Sequence, residues 1–411
     1  LHEKFPGTIV ATVGQKSYAT NSMGGPGADI RVTMGSRDKD CDVDASADTN
    51  WRGPAGTNVP AYITGTYVAN TECSRFYINS NKSLNNHGTV ATSPAWMYPL
   101  EGNRDVPGSD PAHYGGDVWT ADAAMAIMDN EDWSGLLITM GGIDKAGHMW
   151  GGLNDVPPYP GGDDDVHMAS VAKTADDQVG RIMDKLDQLG IRDDTLVVLT
   201  TDHAQLTGET YYGVDMAGQG NYNWYYGTAT GTGEAYMDPQ PEIARLVSQT
   251  DNNVLASMQD SAIRTWLIDQ SKAKKKQAAD VMATLGGVRA SYYLDGNRYK
   301  LRWAAPRSQW GNDAWQWYKK HGQEIVNTAA APYGPDVIGL LANNTSYGVK
   351  GDHGGAQESV QRIPIIFSGP GIKAGKKPGI QLRSVDITPT ILRELGITPS
   401  QRLDGKAYPL P

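Results

Sequence analysis

Long apolar runs are missing from this chain. None approaches the ~18 residues that a membrane-spanning helix needs, so no membrane span is expected. Basic stripes are missing as well. The 36 Lys and Arg are outnumbered by 46 Asp and Glu, for a net charge of −10. A nucleic-acid groove needs clustered cations to neutralise phosphates, and none is expected here. The short run "KAKKK" at Lys272–Lys276 reads as the solvated face of a helix. Cysteine is scarce: only Cys41 and Cys73 occur, both in polar, loop-like sequence. A disulfide between them would suit an exported protein, and two free thiols fit nearly as well. An initiating Met and a signal peptide are also absent, so a segment before Leu1 is expected to have been removed or left out.

What is present begins with length. A chain of 411 residues exceeds one simple core, which implies two domains or one large domain with insertions. Its 39% hydrophobic and 20% charged content is that of a globular protein. Residues 5–20 predict a short helix, with Pro6 near its start and Ile9, Val10 and Val13 on one face. From there to about residue 116 the chain is rich in Gly, Asn, Asp, Ser and Pro, and reads as functional loops and short strands.

Beyond that the pattern is regular. A helix is predicted at 118–130, a buried strand at 135–140 and a long amphipathic helix at 166–190 closing on Gly190. A second buried strand at 195–204 runs into polar residues. Strand, helix, strand in that order predicts a parallel α/β sheet. Residues 209–334 differ. Tyr and Trp crowd 211–226, "WAAPRSQWGNDAWQW" at 303–317 holds four Trp, and "VRASYYLDGNRYKLRW" predicts a hairpin turning at Asp295-Gly296. This stretch reads as an inserted cap, dividing a core into 1–208 and 335–411. The core resumes with strands at 336–342 and 362–371 and a helix at 386–396.

Both apolar runs at 135–140 and 195–200 continue into an acid and a histidine: Asp144 with His148, and Asp202 with His203. A third segment, "KGDHGG", places His353 among glycines just before another strand. Open parallel sheets bind ligands beyond the carboxyl ends of their strands. Carboxylates and neutral imidazoles are what Zn²⁺ or Mn²⁺ takes when no thiolate is offered. The flanking glycines permit close backbone approach. Five candidate ligands exceed the needs of one four-coordinate ion and suggest two, at a separation of ~3.5–4 Å. Each motif alone would read as a hydrogen-bonded turn or a common strand exit; together they favour a metal.

Other candidates have simpler readings. His2, His87, His113, His167 and His321 lack such settings and read as surface or core residues. "DKDCDVDASAD" at 38–48 alternates acids like a calcium loop but lacks the Gly and the closing Glu, so it reads as a solvated loop. The acids of "GGDDDVHM" suit a helix N-terminus. Asp352 could orient a ligand or hold a turn. The aromatics of 209–334 read first as cap packing.

"GIDKAGHMWG", "VVLTTDHA", "GDHGG" with "RIPIIFSGPG", and "SVDITPTILRELGI" stand in an order that resembles the alkaline phosphatase superfamily. The resemblance is greatest to its type I phosphodiesterase/nucleotide pyrophosphatase branch, over 118–208 and 335–400. It implies an α/β core of a mostly parallel sheet flanked by helices, with an inserted cap. It implies two divalent ions, zinc or else manganese: Asp144, His148 and His353 on the first, Asp202 and His203 on the second. It implies hydrolysis of phosphodiester or pyrophosphate bonds in a small-molecule phosphate ester, through a Thr or Ser nucleophile and a phosphoryl-enzyme. A phosphomonoester, phosphonate or sulfate ester hydrolase on the same core is the alternative. A fragment or binding scaffold that keeps one metal site is a further one.

In that family the first core strand, ending in an Asp ligand, and the nucleophile both precede a helix like the one predicted at 5–20. Here that helix opens the chain. The strand and the nucleophile are therefore expected before Leu1, and the chain alone is expected to turn over poorly. Export to the periplasm or outside the cell is expected. Substrate identity and oligomeric state are not legible.

Overall fold

The computed structural model describes residues 1–14, 17–33, 60–63, 116–144, 147, 152, 166–206, 210–211, 241–347, 351–376 and 379–410. Cys41, Cys73, the acidic loop at 38–48 and most of the aromatic segment 211–226 lie outside them.

Residues 5–20 do not form the expected helix. Strand β1 (Ile9–Gly14) occupies their centre, followed by helix α1 (Ser17–Gly24). Ile9, Val10, Thr12 and Val13 are β-branched and stiff at χ1, which favours a strand. Residues 10–14 are all buried, so both faces are covered and no alternation marks the strand. Next come β2 (Ile30–Thr33), α2 (Gly116–Asn130) and β3 (Trp133–Thr139). These strands form a parallel sheet in the order β2-β1-β3, with Ala11 opposite both Ile30 and Leu136. Helix α2 presents Ala123, Ala124 and Ile127 to Ala11, Val13, Ile30 and Val32 in one buried cluster. Small alanines let the helix sit close to the sheet.

Helix α3 (Val166–Gln188) lies against α2, where Arg181 meets Asp122 at 2.5 Å and Lys185 meets Asp129 at 2.6 Å. It closes at Gly190, whose φ of 69° lets Ile191 N–H reach back to the Leu186 carbonyl at 3.1 Å. Then follow β4 (Val197–Thr200), β5 (Thr210–Tyr211), α4 (Pro241–Gln249), β6 (Val254–Gln259), β7 (Ala262–Leu267) and α5 (Lys272–Met282). The chain continues with β8 (Val288–Asp295), β9 (Arg298–Ala304), α6 (Asn312–Asn327), β10 (Val337–Leu341) and β11 (Thr345–Ser346). It ends with α7 (Glu358–Gln361), β12 (Ile365–Ser368) and α8 (Ile387–Glu394). Among the described residues, no helix is long and apolar enough to cross a membrane.

Strands β6, β7, β10, β8 and β9, in that spatial order, build a second, antiparallel sheet. Strand β10, read from sequence as the resumed core, is the middle strand of this sheet. All five of its residues are buried. Val337 and Leu341 pack with Ala278, Ala279 and Met282 of α5 on one face, and Ile338 and Leu340 with Tyr318 and Val326 of α6 on the other. A strand covered on both faces reads as a continuous apolar run whatever its direction. The β8–β9 hairpin falls where expected, with Asp295 opposite Arg298 and Gly296 at φ 67°. Strand β4 pairs antiparallel with β12, and β5 parallel with β11. With that pairing β4 is only partly covered, and Leu199 is exposed, so this is not the buried strand expected.

The lysine run is not simply a solvated face. Ser271 caps α5, accepting from Lys274 N–H, and Lys275 turns inward to Asp336 at 2.8 Å.

Candidate metal centre

The site is assembled from three loops. The first leaves β3. Its Gly141 and Gly142 N–H groups both donate to Asp117 Oδ1 at 3.0 Å. Asp117 sits in the first turn of α2 and is buried. Sequence reasoning passed over it, and the only hint was an acid at a helix start. A Cβ on Gly142 would run into the Asp117 carboxylate. Gly142→Ala is therefore expected to destabilise the fold by about 1–3 kcal/mol, the usual cost of overpacking, measured by urea denaturation.

The second loop leaves β4 and carries Asp202 and His203. Two residues later Gln205 donates from Nε2 to the Asp144 carbonyl at 2.8 Å, and the same nitrogen lies 3.3 Å from Asp144 Oδ1. This amide joins the second loop to the first. It too was missed, because a single Gln after a strand has no signature.

The third loop carries His353. Gly351 adopts φ 56°, and a side chain there would strike the Gly147 carbonyl. Asp352 is buried. It accepts from His353 N–H at 2.9 Å and from the Ser346 hydroxyl at 2.7 Å, while its carbonyl accepts from Leu206 N–H at 2.9 Å. Its contacts are those of a residue that holds the turn.

These loops bring Asp144, His203 and His353 together, with one ligand atom of each within 4.8 Å of the others. Asp144 Oδ1 lies 3.2 Å from His353 Nε2 and 3.7 Å from His203 Nε2. The two imidazoles stack, with centroids 3.5 Å apart and planes 10° from parallel. His203 Nδ1 lies 3.3 Å from the Ala204 carbonyl. A proton on Nδ1 satisfies that carbonyl and leaves the Nε2 lone pair facing Asp144. Asp202 stands at the rim, its carboxylate 75% exposed and Oδ2 3.6 Å from His203 Nε2. His148 lies outside the described residues. The described cluster thus joins Asp144 and His353, expected on one ion, to His203, expected on the other.

Burial holds the His203 pKa below 6.5, and the charge of His353 lowers it further; Asp202 and Asp144 oppose this. The imidazole is therefore neutral at pH 7. Two imidazole nitrogens and a carboxylate oxygen suit a divalent ion such as zinc or manganese, so the residues fit a metal. The depressed value also has a stability consequence. As pH falls below 6.5 the unfolded chain takes up a proton that the folded metal-free chain does not. Stability is fully present above 6.5, falls between 6.5 and the lowered pKa, and then levels. Urea denaturation of the metal-free protein on either side of pH 6.5 checks this, with the slope expected to shrink in His203→Gln.

Known proteins share this fold. The wild-type alkaline phosphatase PafA matches over 98% of this chain and 74% of its own, at 15% identity and a TM-score of 0.60. At that identity the likeness speaks to the fold alone. A multiply substituted PafA matches at 16% identity and TM-score 0.49, over 78% of this chain and 53% of its own. Human ectonucleotide pyrophosphatase/phosphodiesterase 5 matches at 12% and 0.39, over 70% of this chain and 60% of its own. The chain thus spans between about half and three quarters of these structures. No curated protein matches it. Residues 8–332, well over half of the chain and including Asp144, His148, Asp202 and His203, match the family described as type I phosphodiesterase/nucleotide pyrophosphatase, and the chain belongs to that family of hydrolases.

Proposed function

We propose that this protein is a metal-dependent hydrolase of phosphodiester or pyrophosphate bonds in small-molecule phosphate esters, working with two divalent ions, zinc or else manganese. The observation that carries the reading is the convergence of Asp144, His203 and His353 in a chain of this family. Bound metal would supply the positive charge that stabilises phosphoryl oxygens and activates an attacking group. The chain's own residues do the rest. Asp144 offers a carboxylate oxygen, and Gln205 fixes the backbone that carries it. His203 and His353 offer their Nε2 atoms. Asp202 and His148 complete the ligand set, divided as the family resemblance implies. A Thr or Ser nucleophile would attack phosphorus, and export fits such chemistry.

The test uses the protein at its full natural length. A phosphodiester, a dinucleotide pyrophosphate, a phosphomonoester, a phosphonate and a sulfate ester are compared. Diester or pyrophosphate turnover should exceed the others, vanish on chelation and return with zinc or manganese. Elemental analysis should count two ions per chain. Turnover of the sulfate ester alone, or turnover indifferent to chelation, would overturn the reading.

A further inference from the structure

We infer that the β6–β7 turn of the antiparallel sheet, Asp260 to Arg264, is a positioning device for His353, setting the place of its imidazole against Asp144. The inference rests on the metal reading of Asp144, His203 and His353.

The turn grips the His353 loop at successive points. Ser261 N–H donates to the His353 carbonyl at 3.1 Å, and Ser261 Oγ accepts from Gly355 N–H at 2.6 Å. The Ser261 carbonyl accepts from Gln357 Nε2 at 3.0 Å. Arg264 spans the two segments, with Nη1 on Asp260 and Nη2 on the Gly354 carbonyl. Asp260 fixes the turn itself, accepting from Ala262 N–H at 2.7 Å, and its carbonyl takes Tyr347 N–H at 2.9 Å. Ser261 is fully buried and Asp260 nearly so.

A loop alone would not hold an imidazole in place. His353 is followed by glycines, and its side chain is 26% exposed. Bonds to the carbonyl of 353 and to both residues after it remove the backbone freedom that would let Nε2 drift from Asp144. The bonds start from a rigid support, since β7 is flanked by β6 and β10. A metal ligand is only as well placed as the groups that orient it.

The test measures zinc affinity and the absorption spectrum of the Co²⁺-loaded protein, neither of which needs turnover. Ser261→Ala removes the acceptor of Gly355 N–H. Arg264→Lys keeps the charge beside Asp260 but cannot fork between Asp260 and Gly354. Both should weaken zinc binding by about tenfold or more and change the cobalt spectrum, with the metal-free fold retained by circular dichroism. Tyr299→Phe is the control. It breaks bonds to the Pro335 and Ala329 carbonyls and none to the His353 loop, and should leave both readouts unchanged.

Unchanged affinity in Ser261→Ala and Arg264→Lys, with affinity lost in His353→Ala, would overturn the inference and leave the metal reading standing. Equal losses in Tyr299→Phe would also overturn it, by showing general weakening of the sheet. Unchanged affinity in His353→Ala would overturn the metal reading and the inference with it.

Discussion

Asp144→Ala is expected to abolish measurable zinc binding at the first of the two proposed ion sites while the protein stays folded. Its Oδ1 is the atom on which the other two donors converge, at 3.2 Å from His353 Nε2 and 3.7 Å from His203 Nε2. Without it, two stacked imidazoles remain, 3.5 Å apart, with only the exposed Asp202 carboxylate beside His203. Changes to groups behind a ligand cost about 10–100-fold in affinity; removing the shared carboxylate should cost more than about a hundredfold. Folding should survive, because Gln205 still bonds the main-chain carbonyl at 144. Asp144→Asn separates shape from charge. It keeps the side chain's size and should bind nearly as poorly as alanine, since a neutral amide is a weak ligand. Competition against a chelator of known affinity measures all three proteins. Wild-type affinity in Asp144→Asn would show that the carboxylate does not bind the ion.

Asp336→Ala is expected to be the most destabilising change away from the site. Asp336 is 3% exposed, and one carboxylate oxygen takes the Lys275 ammonium at 2.8 Å. The other accepts Leu267 N–H at 2.8 Å. Lys275 is itself only 14% exposed. Removing the acid strands a buried ammonium and a buried N–H, a loss of about 3–5 kcal/mol. Its main chain also bonds Leu294 and Thr265, so the residue sits at the junction of β7, β8 and β10. Urea denaturation of Asp336→Ala should show a lower midpoint with an unchanged slope. Adding Lys275→Met should restore part of the loss, because the uncompensated charge is then gone. A double variant no better than the single would show that the N–H bond, not the ion pair, dominates.

The local chemistry of this protein was legible in its residues. Helices at 118–130, 166–190 and 386–396 were legible, the long one by its apolar stripe and closing Gly190, and α2, α3 and α8 lie there. The hairpin at Asp295-Gly296 was readable because a two-residue turn needs a glycine able to take positive φ. Asp144 and His203 were legible as residue types at the ends of apolar runs, and His353 as a histidine among glycines before a strand; the structure brings the three together. Family membership followed from the same motifs.

Buried strands were harder. β1 looked helical because Ile9, Val10 and Val13 fit a helix face as well as a strand covered on both sides. β10 was read only as the core resuming, and its place in the antiparallel sheet stayed hidden because a run of buried apolar residues carries no record of its partner. Lys275 looked solvated, since only packing reveals the acid it faces. The supports of the site were invisible for the same reason. Asp117, Gln205, Ser261 and Arg264 act through hydrogen bonds to backbone 24 to 94 residues away in sequence. Residue type and local spacing, which set donor chemistry and helix ends, were determined by the sequence alone. Which strands pair, and which distant side chain steadies a loop, was decided only by the tertiary structure, because those are relations between segments that no local pattern encodes.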